Sequence, residues 1–286
     1  MVFKSRDSSQ DEAEEEMKHE VVASLQTDPG CVREVNEDAG RFVKPTAAAL
    51  LADKGVLVLV ADGMGGHQAG EVASNLAIEV ISRFYYRTKA DATAALKMAF
   101  EEANRQIHEA SLSDENLTGM GTTCTALVLR NGSAIAAHVG DSRLYLMREG
   151  ELYLMTEDHS AVMQMVKHGI ITAAEARHHA DKNVILRALG TGPQVEISIW
   201  DKTLPVRVED RFILCSDGLY DLVEDAEIKR LMAAAPDPQT ACEQLIALAK
   251  ERGGHDNITV GIVGIKRADQ MKKRRPRVTR EVEIAK

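Results

Sequence analysis

The sequence predicts an α+β fold, a four-layer α-β-β-α sandwich of two mostly antiparallel sheets flanked by helices. Four strand-like runs follow one another between residues 122 and 155 of the 286-residue chain. Turn signals at Asn131-Gly132 and Glu149-Gly150 separate the first pair of runs and the last pair. Hairpins of this kind require antiparallel pairing, and amphipathic patterns on either side of the block supply helices that cover the sheets.

Each element follows from its hydrophobic period. The continuous apolar run Val56–Val60 is typical of a strand buried on both faces. Other strands are predicted at residues 122–129, 133–139, 143–147, 151–155, 195–200, 212–215 and 258–263. Apolar residues spaced three and four apart predict helices over residues 73–84, 96–107, 161–168, 173–179, 226–234 and 240–250.

Composition divides the chain into three parts. Residues 1–20 form an acidic arm that we expect to be disordered, and residues 21–265 form one domain without an internal repeat or linker. Residues 266–286 are a charged tail that contains the basic cluster 272–277. Two interpretations of the tail stay open: a solvated linker, or a docking segment for an acidic partner such as a kinase.

The net charge, the length of the apolar runs and the placement of the cysteines argue against several classes of protein. A formal net charge of -9 argues against general binding to nucleic acid or to an anionic membrane, and no apolar run is long enough to span a bilayer. The four cysteines are scattered, and we expect all of them to be buried free thiols. We therefore expect a cytoplasmic protein, and a monomer.

Acidic residues recur at the ends of predicted strands. Asp62, Asp141 and Asp217 each follow an apolar run, Asp256 precedes the last run, and the pair Glu37-Asp38 lies near the start of the domain. Any one of them is typical of an ordinary turn. Together they would converge at one rim of the sandwich, where their mutual repulsion requires a cation. Oxygen ligands without His or Cys favour Mg²⁺ or Mn²⁺, and a pair of such ions suits displacement at phosphorus.

Six short segments carry a family resemblance. In chain order they are Arg33-x-x-Asn36-Glu37-Asp38, Asp62-Gly63-Met64-Gly65-Gly66, Gly121-Thr122-Thr123, Gly140-Asp141-Ser142-Arg143, Ser216-Asp217-Gly218 and Asp256-Asn257. They resemble the ordered motifs of the PPM (PP2C-type) phosphatases, and the bacterial branch is the most similar. A segment at about 158–190 also resembles the flap beside the active site of that branch.

The resemblance implies a metal-dependent protein serine/threonine phosphatase. Such an enzyme hydrolyses phosphoserine and phosphothreonine by direct attack of a metal-bridging water, with Mn²⁺ or Mg²⁺ as two core ions and a third possible ion. Its partners would be phosphorylated proteins, including a serine/threonine kinase or the substrates of that kinase.

The resemblance also implies a role for each site residue. Asp62 would bridge the two ions, and the Gly63 carbonyl would bind one of them. The remaining residues of the metal site would be Asp217 and Asp256 on the first ion, Glu37 on the second, Asp38 holding water or Arg33, and Asp141 with Asp217 on a third ion.

Arg33 and Asp62 are the predicted catalytic residues, and Arg33 also binds substrate. A planar guanidinium bonds two phosphate oxygens at once, although a surface salt bridge is the plainer interpretation of an isolated arginine. Met64 departs from members that carry a proton-donating His at this position, so no general acid is assigned.

Two rival functions stay open at this point. The first is a catalytically silent module that binds phosphoproteins, although the chain keeps Asp62, Asp217 and Asp256. The second is a phosphatase dedicated to one regulatory phosphoprotein, such as an anti-sigma-factor antagonist.

Overall fold

The computed structural model describes residues 19–65 and 69–267. The predicted N-terminal arm and C-terminal tail lie almost entirely outside these ranges. Strand pairing reaches His19 and Arg267, which lie opposite each other at the ends of the first and last strands.

The first sheet has five strands, all antiparallel to their neighbours. Across the sheet they are β1 (His19–Asp28), β12 (Ile258–Arg267), β11 (Arg211–Cys215), β7 (Arg143–Arg148) and β8 (Glu151–Leu154).

The second sheet has seven strands. Its main path is β10 (Leu204–Pro205), β6 (Ser133–Val139), β5 (Cys124–Arg130), β3 (Val56–Met64) and β2 (Asp38–Val43), with β4 (Gly121–Thr122) paired to β3 and β9 (Ser198–Ile199) paired to β6. These pairings are also antiparallel.

Helices cover both outer faces. Over the second sheet lie α2 (Ala69–Arg87) and α3 (Ala92–Ser113), and over the first sheet lie α6 (Asp217–Tyr220), α7 (Asp225–Ala234) and α8 (Pro238–Glu251). Smaller elements are α1 (Ala48–Lys54), a 3₁₀ turn (Glu115–Leu117), α4 (Ala161–Lys167) and α5 (Ala173–Ala176). A third apolar cluster joins the facing sides of the two sheets. The predicted four-layer sandwich is therefore confirmed.

The two predicted turns have the geometry that hairpins favour. Asn131 and Gly132 have φ angles of 47° and 70°, and Glu149 and Gly150 have φ angles of 53° and 80°. Positive φ at both central residues is the type I′ arrangement, which matches the twist of paired strands. The two hairpins belong to different sheets, and the chain crosses between them from Val139 to Arg143.

Several elements differ from the prediction. The structure adds β1, β2, β10 and α1, shortens the strand expected at 195–200 to β9, and ends the helix expected at 173–179 at Ala176. β1 is an edge strand whose residues are mostly half-buried, and its ten residues pair with β12, so partner strands rather than local pattern define it. β3 continues to Met64 because Gly63 and Met64 pair with β4.

Two smaller expectations concern cysteines and membrane spans. Cys124, Cys215 and Cys242 are buried free thiols as predicted, but the prediction was wrong for Cys31, which is exposed in the loop after β1. Within the described ranges, none of the helices has the length and hydrophobicity needed to cross a membrane.

Candidate active site

Strand register gathers the predicted acidic residues at one rim. Asp38, the first residue of β2, lies directly opposite Asp62 of β3. Cys215 lies opposite both Val260 and Arg143, so the segments that carry Asp217, Asp256 and Asp141 leave the first sheet at the same end. Asp62 and Gly63 lie inside β3 rather than after it, which corrects the predicted strand end.

Hydrogen bonds join the two sheets at this rim. Ser216 Oγ donates to Asp38 Oδ2 at 2.6 Å, and Thr259 N donates to Ser216 Oγ at 3.0 Å. Asn257 accepts from Glu37 N at 2.8 Å through Oδ1 and donates to the Val35 carbonyl at 3.0 Å through Nδ2. The loop that carries Arg33 and Glu37 is thereby tied to the loop that carries Asp256.

Burial and mutual repulsion disfavour the charged forms of the carboxyls in this cluster. Burial raises the pKa of Asp62 well above its usual range, and the nearby Asp38 and Asp217 raise it further. Burial also raises the pKa of Asp38 to about 7, against the hydrogen bond from Ser216, and raises the pKa of Asp217 to about 6. The pKa of Asp141 is raised by burial and then by Asp217. Such a group of like charges is stabilised by protons or by cations.

Two carboxylate oxygens have no protein partner. Glu37 Oε1 and Asp38 Oδ1 are buried and make no hydrogen bond. A buried oxygen of this kind costs free energy unless a cation or a donor meets it. Burial raises the pKa of Glu37 as well.

Close backbone packing surrounds Glu37. A Cβ on Gly63 would lie 2.1 Å from the Gly70 carbonyl oxygen, and a Cβ on Gly70 would lie 2.7 Å from Glu37 Oε1. Only glycine fits at these two positions, which lets the start of α2 approach the end of β3.

The carboxylate oxygens at this rim are the type of ligand that a hard divalent cation prefers. As the side chains stand, no group of three or more His, Cys, Asp or Glu in residues 19–65 and 69–267 could hold a metal ion. One cause is visible at Asp256, whose Oδ2 accepts from Arg33 Nη2 at 2.8 Å.

Arg33 lies at the open side of the cluster. Half of its side chain, 51%, is exposed, so a substrate can reach it. It contacts Asp256, not Asp38, so the predicted alternative in which Asp38 holds Arg33 is not what the structure shows. The hydrogen bond between the Arg33 guanidinium and the Asp256 carboxylate raises the pKa of Arg33.

Asp141 and Asp217 also line a second space. A cavity of about 350 Å³ is lined by these two aspartates and by Val162, Met163 and Lys182 of the predicted flap, residues 158–190. The flap is attached to the rim by an ion pair between Lys182 and Asp221, and by a hydrogen bond of 2.7 Å from Arg177 to the Tyr220 carbonyl.

Sequence reasoning missed several supporting residues. Ser216 and Asn257 lie inside the quoted motifs, but their bonds to Asp38 and Glu37 depend on the packing of the two sheets. Arg143 also lies in a motif; it makes a buried ion pair with Asp158 at 2.7 Å and stacks 3.7 Å from the Tyr220 ring centroid. A charged residue directly after Asp-Ser in an otherwise apolar run was the available signal.

Comparison with known proteins decides the family. Residues 33–250, more than half of the chain, match the model of the family described as protein phosphatase 2C. The chain belongs to the protein phosphatase 2C family.

Bacterial phosphatases are among the relatives of this 2C phosphatase. It is 37% identical over 246 residues to the serine/threonine phosphatase stp of Listeria innocua, a match that covers 84% of this chain and 94% of the relative.

Two solved structures are similar over nearly the whole described chain. Stp1 of Staphylococcus aureus has a TM-score of 0.79 and 33% identity, covering 86% of this chain and 96% of that one. The catalytic domain of the phosphatase PstP, solved in complex with 2 manganese ions, has a TM-score of 0.73 and 34% identity, covering 87% and 99%.

The family settles the general activity. The chain is a metal-dependent protein serine/threonine phosphatase, a hydrolase that acts on phosphoproteins. The catalytically silent alternative is therefore not supported.

Proposed function

We propose that this phosphatase hydrolyses phosphoserine and phosphothreonine at the rim where Asp62, Asp217, Asp256 and Glu37 meet. The observation that carries the proposal is the group of sequence-distant carboxyls at this rim, half-buried or buried, in which Glu37 Oε1 and Asp38 Oδ1 have no protein partner. A cation-free role for such a group is unfavourable, because each charge is desolvated and repelled by the next.

Each side chain has a proposed place in the metal site. Asp62 is central, because it lies opposite Asp38 in the strand register, and the charges of Asp217, Asp141 and Asp256 also raise its pKa. Asp217 and Asp256 would hold one ion with Asp62, and Glu37 and the Gly63 carbonyl would serve a second. Asp38, held by Ser216, positions the site from the β2 side.

We propose Mn²⁺ or Mg²⁺ as the cation, in line with the all-oxygen donor set. The PstP catalytic domain binds two manganese ions, which favours the same number here. Bound divalent cations of this kind lower the pKa of water and neutralise phosphate charge. Asp141 and Asp217, which share the cavity under the flap, are the proposed ligands of a third ion.

Arg33 is the proposed phosphate-binding residue. Its guanidinium is exposed, is charged at all working pH values, and lies beside Asp256. Binding substrate requires the Arg33–Asp256 contact to loosen, so that one partner turns to phosphate and the other to the cation. Charge stabilisation of the transferring phosphoryl group is the main contribution expected from such an arginine.

The protein environment restricts the rest of the chemistry. Met64 has no proton to donate, so the leaving seryl or threonyl oxygen takes its proton from water or another group. Water is the proposed attacking group. Cys124 and Cys215 are poorly suited to act as nucleophiles, because both are fully buried and burial raises the pKa of each thiol.

Three further points belong to the same proposal. We propose phosphorylated proteins of a serine/threonine kinase pathway, including the kinase itself, as the substrates. We propose a single domain over residues 21–265 that acts as a monomer. We propose a cytoplasmic location, supported by four free cysteines and no disulfide in the described ranges.

A phosphatase dedicated to one regulatory phosphoprotein stays an alternative that a substrate survey distinguishes.

The test is hydrolysis of a phosphothreonine peptide with Mn²⁺, with Mg²⁺ and with EDTA. Asp62→Asn should lose at least about a hundredfold in kcat, because it removes the central charged ligand. Asp201→Asn, which changes an exposed aspartate away from the rim, is the matched control and should keep normal activity. Metal-independent turnover, or a fully active Asp62→Asn protein, would overturn the proposal.

A further inference from the structure

A buried histidine holds the peptide next to Asp141. His159 is only 5% exposed, and its main-chain N donates to the Gly140 carbonyl at 2.8 Å. Its ring Nδ1 is in turn 3.1 Å from Gly140 N, so the histidine bonds both sides of Gly140. Gly140 has a φ of +105°, and a Cβ there would lie 2.5 Å from Thr123 Cβ, so its conformation is fixed by packing.

The ring has one possible tautomer. Gly140 N–H can only donate, so His159 Nδ1 must be the unprotonated nitrogen that accepts. The ring proton is then on Nε2, which lies 2.9 Å from Ser198 Oγ and donates to it. Ser198 is part of β9, which pairs with β6, so both ring nitrogens are used to fix the ring against the second sheet.

His159 also lies where the two ends of the flap meet. Leu186 N donates to the His159 carbonyl at 2.7 Å, and Ala161 N donates to the Val184 carbonyl at 2.8 Å. The two flap ends therefore run side by side at this residue. Through His159, the Gly140–Asp141 peptide is thereby joined to both ends of the flap segment.

We propose that His159 is a positioning residue that directs the Asp141 carboxylate and couples its direction to the seating of the flap. The Asp141 part rests on the proposed function, because it assumes that Asp141 and Asp217 serve a shared cation. His159 itself touches neither substrate nor the reacting atoms.

Two substitutions separate the ring nitrogens. The amide oxygen of His159→Asn lies near the position of Nδ1 and can still accept from Gly140 N–H. The longer His159→Gln side chain reaches the Nε2 position and leaves Gly140 N–H without a partner. Ser198→Ala is the matched control, because it removes only the outer bond of the ring.

The phosphatase activity of each variant should depend on whether its side chain at position 159 still accepts the hydrogen bond from Gly140 N–H. We expect His159→Gln to lower kcat about tenfold with KM changed by less than about twofold, the size expected when a buried donor loses its partner. His159→Asn and Ser198→Ala should stay within about threefold of the unchanged protein. A merely structural role would instead lower the melting temperature of all three variants and leave kcat unchanged.

Amide exchange tests the contact without relying on activity. In metal-free protein, hydrogen exchange at Gly140 should accelerate in His159→Gln by about tenfold and stay slow in His159→Asn. Equal Gly140 exchange in His159→Gln and the unchanged protein would overturn the positioning role, as would an equal loss of kcat in the Asn and Gln variants. An unchanged protein that fails to hydrolyse the peptide would instead reject the phosphatase assignment.

Discussion

The carboxyl of Asp217 gives a quantitative prediction about the metal-free protein. Folding raises its pKa from 3.8 to about 6, mainly by burial and then through Asp221 and Asp256. A carboxyl with a raised pKa stabilises the fold while it is protonated, below about pH 4, and that stability is lost as the pH rises through about 6. We therefore expect Asp217→Asn to stabilise the protein in EDTA at pH 7.5.

The size of the effect follows from the same values. The difference between 3.8 and about 6 is about 2 pH units, which corresponds to about 3 kcal/mol at pH 7.5. Part of this stabilisation will be lost, because the amide cannot reproduce every contact of the carboxyl. A net gain of about 1–3 kcal/mol in the free energy of unfolding is the expected result.

The assay is urea unfolding in EDTA at pH 7.5 and at pH 4, repeated at pH 7.5 with Mn²⁺. Asp217→Asn should be more stable than the unchanged protein in EDTA at pH 7.5, should lose that advantage near pH 4, and should be less stabilised than the unchanged protein by Mn²⁺. Asp201→Asn should follow the unchanged protein throughout. An Asp217→Asn protein that is less stable in EDTA at pH 7.5, or that gains as much from Mn²⁺, would refute the reasoning.

Three other predictions concern the surroundings of the site. Burial and the nearby His159 lower the pKa of His138 to about 3, so stability should fall as the pH drops from about 6.5 towards 3. His138→Asn should therefore reduce the slope of unfolding free energy between pH 5 and pH 6 by about 1.4 kcal/mol per pH unit, and an unchanged slope would contradict the buried neutral ring. Arg143→Met should cost about 3–5 kcal/mol in urea unfolding, because it leaves the buried Asp158 unpaired, and adding Asp158→Asn should recover part of that loss. Gly63→Ala should weaken Mn²⁺ binding at least about tenfold by calorimetry, since its Cβ would collide with the Gly70 carbonyl, and normal binding would show that the close approach is dispensable.

Local pattern was sufficient for most of the core. The apolar run at Val56–Val60 and the two type I′ turns determine buried strands and hairpins because they depend on neighbouring residues alone. The strands β1 and β2 were not predictable in this way. β1 is a half-buried edge strand and β2 has only six residues, so pairing with distant partners decides both.

The sequence by itself predicted the chemistry that we propose for the site, because Asp62, Asp141, Asp217 and Asp256 occur in ordered motifs whose oxygen donors suit a hard cation. Tertiary structure decided which groups lie together. The antiparallel register of β2 and β3 places Asp38 opposite Asp62. The packing of the two sheets brings Ser216 to Asp38, and the crossing of the chain between the sheets places Gly140 against His159. These contacts join residues far apart in the chain, and their geometry depends on sheet register and burial, which no local spacing encodes.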